Sequence, residues 1–174
     1  MELKDVIVKR RSVKKYKPDM VPQELIDQVV DAGLRAACGK GARSQVIIAV
    51  KDKELRDKIS ACNAAIMGLP EGKDPFYGAP VIIVVIANAD VPTAPYDGAC
   101  SLQNMMLMAT ELGLGSCWIH RCKQEFEGDL GKEILAKIGL EGNYVGVGHL
   151  ALGYAAEGSE REFPIGEGRC FQIG

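Results

Sequence analysis

Val81-Ile82-Ile83-Val84-Val85-Ile86-Ala87 is apolar at every position, and successive side chains of an extended chain point to opposite faces. Such a strand has no face to give to water, so it predicts the interior of a sheet covered by helices on both sides. Shorter extended runs accompany it: Val46 to Val50, Ser116 to Ile119 behind Gly113 and Gly115, and Tyr144 to Leu152. Helical patterns fill the intervals. Glu2 to Arg10 carries Leu3, Val6 and Ile7 on one face, Pro22 opens a second helix that runs through Arg35, and Asp52 to Met67 and Glu125 to Ile138 are amphipathic. From Asp97 to Leu112, the residues Ala99, Leu102, Met105, Met106, Leu107, Met108, Ala109 and Leu112 face nearly every direction, which predicts a central, buried helix. The alternation describes an α/β sandwich with helices on both sheet faces.

With 174 residues and 47% apolar content, the chain is sized for one core, and a single domain over 1–174 is expected. Its end, 155–174, is a polar, glycine-rich tail anchored only by Phe163 and Phe171. A net charge of -2 gives no global attraction to nucleic acid or to anionic membranes, so any anion site must come from local clustering. No run of some eighteen apolar residues occurs, and Met1 to Asp5 is not a signal peptide, so a soluble, cytoplasmic protein is expected. Six cysteines show no CxxC and no framework spacing, and predict reduced, mostly buried thiols. Cys117, His120 and Cys122 match no recognised zinc pattern, and no metal is expected.

Charge clusters in one place. Lys9, Arg10, Arg11, Lys14, Lys15 and Lys17 surround Ser12. They read either as a solvated helix end complementing its dipole, or as an anion site in which arginine forks and the serine hydroxyl meet a phosphate. The small-residue stretch Ala36 to Ser44 reads either as a flexible connection or as a loop that another backbone or a ligand approaches closely. Glu71 to Pro80, with Phe76 and Tyr77 among glycines and prolines, is a loop able to cover something. Acid-base groups are scarce. His120 and His149 are the only histidines, the latter set in a strand and expected to be structural; neither GxSxG nor a P-loop occurs. Gly113-Leu114-Gly115 follows a helix where a dinucleotide fingerprint would open one. Such a chain suits a cofactor that brings its own reactivity, and a flavin fits best.

Arg10-Arg11-Ser12-Val13-Lys14-Lys15-Tyr16 resembles the N-terminal RRSxRxF/Y motif of the nitroreductase family. The resemblance extends through GAPVIIVV, through DGACSLQNMMLMATELGLGSCWIHR, similar to that family's central helix and flavin-contact strand, and through GHLALGY, over residues 2 to 154. It implies a three-layer α-β-α sandwich of the α/β (α+β) class around a central mixed sheet, and a homodimer with FMN at the subunit interface. By position, Arg10 and Ser12 would hold the phosphate with Arg11 beside them, and Lys14 would approach the pyrimidine side of the ring as the catalytic cation. The backbone of Trp118, Ile119 and His120 would border the ring. Ala37, Cys38 and Gly39 would come from the partner subunit, Asn63 would meet the ring edge, and Arg169, a better match than Arg161, would complete the phosphate site. The loop departs from the common A-P-S-x-x-N-x-Q-P-W pattern, and the tail is expected to pack on the partner.

The implied activity passes hydride from NADH or NADPH through FMN to a nitroaromatic, quinone or similar acceptor by a ping-pong mechanism. Two alternatives stand beside it: a more specialised flavin reductase or dehalogenase of the same fold, and a flavin-binding protein without turnover.

Overall fold

The computed structural model describes residues 1–158, 164 and 166–174; Arg161 and Phe163 lie outside them. Ten main elements follow one another: α1 (Leu3–Lys9), α2 (Gln23–Leu34), β1 (Gln45–Val50), α3 (Lys53–Ile66), β2 (Val81–Asn88), α4 (Ala94–Glu111), β3 (Gly115–Ile119), α5 (Cys122–Glu127), α6 (Asp129–Lys137) and β4 (Tyr144–Gly153). The sheet order is β1-β2-β4-β3. Its four strands pair antiparallel throughout. Parallel pairing enters through the bridge between Ser12 and Ser116. The expected mixed sheet is thus antiparallel along its strands, because α3 and the segment after it leave β1 and return to the same end, setting Val50 opposite Ile82.

The layering follows from β2. All seven residues from Val81 to Ala87 are fully buried. Ile83, Val85 and Ala87 pack with Ile26 and Val29 of α2 and Leu102, Met105 and Ala109 of α4. Ile82, Val84 and Ile86 face Ile59, Phe76, Cys122 and Ile134. Apolar surface removed from water contributes about 25 cal/mol per Å², and burial on both faces makes this strand the centre of the hydrophobic stabilisation. The architecture is the three-layer sandwich.

Several local expectations change. α4 begins at Ala94, with Pro95 in its first turn, where a missing N–H costs nothing. The helix expected over 125–138 is two helices: α5 starts at Cys122, Gly128 is extended, and α6 starts at Asp129. The break fits Gly131, where a Cβ would stand 2.5 Å from the Cα of Phe126 as the two short helices cross. On α1 only Val6 is buried, while Leu3 and Ile7 face out. The six cysteines are free, but only Cys117 and Cys122 are buried; Cys38 and Cys62 are half-buried, and Cys100 and Cys170 are exposed.

Candidate functional site

The basic stretch leaves α1 and runs along the outer edge of the sheet. Val13 donates its backbone N–H to the Ser116 carbonyl at 2.9 Å, seating Ser12 beside Ser116 on β3. The close approach requires Gly115, since a Cβ there would lie 2.9 to 3.0 Å from the Val13 side chain. The chain then crosses to the end of β4. Tyr16 pairs with Ala155 and donates its hydroxyl to the Ala151 carbonyl at 3.3 Å, and Lys17 donates its backbone N–H to the Tyr154 carbonyl at 2.9 Å. These anchors fix the backbone on either side of Lys14 and leave its side chain exposed.

The stretch from Arg10 to Lys14 runs beside β3, the strand that carries Cys117. Burial pushes the Cys117 thiol above its ordinary range, opposed by a hydrogen bond with Ser12 and by the positive charges of Lys14 and Arg10. A thiol so raised is an inert packing group. Arg11 turns away, its guanidinium donating to the carbonyls of Val8 at 2.6 Å and Arg10 at 2.7 Å, where it satisfies the end of α1. Ser116 is 2% exposed, and its buried hydroxyl has no hydrogen-bond partner among the described residues. Arg10, Ser12 and Lys14 thus lie along the β3 edge, half-buried or exposed.

The other end of β3 is held from behind. Trp118 packs its ring into the α4 layer, and Ile119 is buried on the opposite face, so what this strand offers outward is backbone. The carbonyl of exposed His120 accepts from Asn63 Nδ2 at 3.2 Å, and Asn63 itself is fully buried. Arg121 follows with a φ of 79°, a left-handed conformation that turns the chain into α5. Beneath it His149 Nε2 and Glu125 Oε1 stand 3.2 Å apart, both side chains fully buried. His149 is thus structural. Close packing of α5 on β4 is written into Gly146, where a Cβ would sit 2.1 Å from the Cys122 carbonyl oxygen.

The family model described as "Nitroreductase family" matches residues 7–154. The chain belongs to the nitroreductase family. A relative from Methanothermobacter thermautotrophicus, provisionally named an NADH dehydrogenase/NAD(P)H nitroreductase, is 35% identical over 128 residues, covering 68% of this chain; the chain spans 60% of that relative's length. A nitroreductase with bound FMN from Bacteroides fragilis NCTC 9343 superposes with a TM-score of 0.89 at 28% identity over the whole of both chains. Another with bound FMN, from Desulfitobacterium hafniense DCB-2, shares the fold with a TM-score of 0.89 at 24% identity, covering 100% of this chain and 99% of its own.

In this nitroreductase-family chain the candidate residues form two groups. Arg10, Ser12 and Lys14 lie along β3, with Trp118, Ile119 and His120 on the same strand and its exit, while Asn63 acts from behind through His120. Ala37, Cys38 and Gly39 precede β1, the opposite edge of the sheet. Arg169 is exposed in the tail. The loop before β1 is organised by a residue the sequence reading passed over, Asp97 of α4. Its carboxylate accepts from Gly39 N at 2.9 Å, from Ser44 Oγ at 2.6 Å and from Thr93 Oγ1 at 3.2 Å. Burial drives the Asp97 carboxyl upward, and these three hydrogen bonds outweigh it and hold the group below its usual range. An acid in the first turn of a helix was the available signal.

Proposed function

We propose that this chain is an FMN-dependent oxidoreductase that takes hydride from NADH or NADPH and delivers it to a nitroaromatic, quinone or similar acceptor in a ping-pong cycle. The observation that carries the reading is the seating of the Arg10 to Lys14 stretch along the edge of β3, fixed by the Ser12–Ser116 bridge and the Val13 to Ser116 hydrogen bond. Bound FMN is a feature of nitroreductase structures of this fold.

The donor set fits that cofactor. Arg10 and the Ser12 hydroxyl offer charge-assisted and neutral donors suited to a phosphate. Lys14 would set one positive charge beside that end, where it would stabilise negative charge on the ring of bound FMN without moving a proton. FMN, when bound, supplies the exchange of hydride. The chain supplies orientation: the β3 backbone presents its peptide groups along the sheet edge, and Asn63 pins the His120 carbonyl by a hydrogen bond. Apolar Ile119 and Cys117 exclude water beneath it.

A homodimer with the flavin site at the subunit interface completes the proposal. Support comes from an apolar groove of about 420 Å³ between α1, α2 and α4, lined by Leu3, Val6, Ala32, Leu107 and Met108. Within one chain, Ala37 to Gly39 and the Arg10 to Lys14 stretch lie at opposite sheet edges, so a second copy is the natural source of that loop. The cytoplasm is the proposed location.

The test is the reductive half-reaction of protein loaded with FMN, followed anaerobically by stopped flow. Lys14→Ala should slow flavin reduction by tenfold or more, the scale of losing one preorganised electrostatic donor. A variant that binds FMN more weakly but is reduced at the same rate would identify a binding protein without a catalytic cation.

A further inference from the structure

The segment between α3 and β2 carries a strained aromatic residue. Tyr77 has a φ of 59°, and for a bulky side chain the left-handed region is an outlier that persists only where surrounding structure over-determines it. The surroundings do so here. Asp74 accepts from Phe76 N at 2.8 Å and from Gly78 N at 2.8 Å, the two amides flanking Tyr77. It also accepts from Ser60 Oγ at 2.7 Å and pairs with Arg56. Arg56 reaches on to the Ala79 carbonyl at 2.9 Å, Tyr77 N donates to the Asp74 carbonyl at 3.2 Å, and Phe76 is buried edge-on against His149. A glycine would occupy the same backbone without strain, so the side chain has a use.

That use is visible in where the ring goes. It stands under the Lys14 ammonium, 5.9 Å from Nζ to the ring centroid, within the range of a cation–π contact. We infer that Tyr77 is a positioning residue for Lys14: the Asp74-braced turn holds its ring against the ammonium and so fixes the cation over β3. An exposed lysine has several rotatable bonds and samples a wide arc. A ring on one side removes much of that arc.

The inference rests on the proposed flavin site, and the test separates the two. FMN is titrated into apo-protein by quenching of flavin fluorescence for wild type, Tyr77→Phe, Tyr77→Ala, Tyr77→Gly, Lys14→Ala and Lys14→Ala/Tyr77→Ala, with thermal midpoints of the same apo-proteins. A cation–π contact at an exposed site corresponds to about a threefold to fivefold change. Tyr77→Ala and Tyr77→Gly should therefore weaken FMN binding about threefold to fivefold, and Tyr77→Phe, which keeps the ring, should stay within about twofold. Tyr77→Gly should melt higher than Tyr77→Ala, because glycine relieves the strain that alanine retains. In the Lys14→Ala background the loss of the ring should have no further effect, since the two residues act as one unit. If Lys14→Ala weakens FMN binding while Tyr77→Ala leaves it unchanged, or if the two effects add fully, the positioning role is overturned and the flavin reading stands. If wild type binds no FMN, both fall.

Discussion

Replacing Asp97 by alanine removes the one acceptor shared by Gly39, Ser44 and Thr93. Hydrogen bonds to a charged group contribute about 1.5 to 3 kcal/mol each when the partner is left buried and unsatisfied, and less when water replaces it. Ser44 is 4% exposed and has no easy route to solvent, whereas Thr93 and Gly39 are half-buried. The expected loss is therefore near one full bond and two partial ones, about 3 kcal/mol. For a domain of this size that lowers the melting temperature by about 6 to 12 °C. Asp97→Asn retains an acceptor for the Gly39 amide and should lose about half as much. The assay is thermal unfolding at pH 7 by circular dichroism, with FMN titration alongside, because the Ala37 to Gly39 loop is proposed to face the partner's flavin. Melting of both variants within about 2 °C of wild type would refute the account of Asp97 as the clamp of that loop.

Three further outcomes follow from contacts already described. Gly115→Ala drives a methyl into the Val13 side chain and should lift Ser12 and Lys14 off β3, weakening FMN binding about tenfold in a protein that still folds, read by fluorescence titration. Gly146→Ala meets the Cys122 carbonyl, which is backbone and cannot swing aside; loss of at least 3 kcal/mol of stability, or failure to yield soluble protein, is expected. Burial raises the Asp74 carboxyl, but hydrogen bonds from Ser60, Arg56, Phe76 and Gly78 prevail and hold it low. A carboxyl depressed in the folded state stabilises above its unfolded value, near pH 4, and that contribution disappears as pH falls through the folded value. Asp74→Asn should thus be less stable than wild type at pH 7 and converge with it near pH 2, in urea unfolding across that range.

The elements that could be read from sequence were those whose chemistry is local. Val81 to Ala87 could be nothing but a doubly covered strand, and Gly113 and Gly115 announced the turn into β3. The basic stretch stood out as a charge cluster, though not its course along the sheet edge, because the Val13 to Ser116 pairing joins residues about a hundred positions apart. Glu125 looked like the surface start of an amphipathic helix. Its burial depends on His149, which lies across β4 and follows no local periodicity. Asp97 and Tyr77 were missed for the same reason: one clamps a loop more than fifty residues earlier, and the other takes its role from a lysine on another element. Long-range pairs of this kind leave only weak local marks, such as an acid in a first helical turn or an aromatic residue set before a glycine.

The central claim, a flavin held by Arg10, Ser12 and Lys14 and reduced by a nicotinamide, is tested most directly by one absorption spectrum. Purified protein reconstituted with FMN and freed of excess should be yellow, and anaerobic NADH or NADPH should bleach its flavin bands. Protein that stays colourless after loading, or whose bound flavin keeps its colour with both nucleotides, would contradict it.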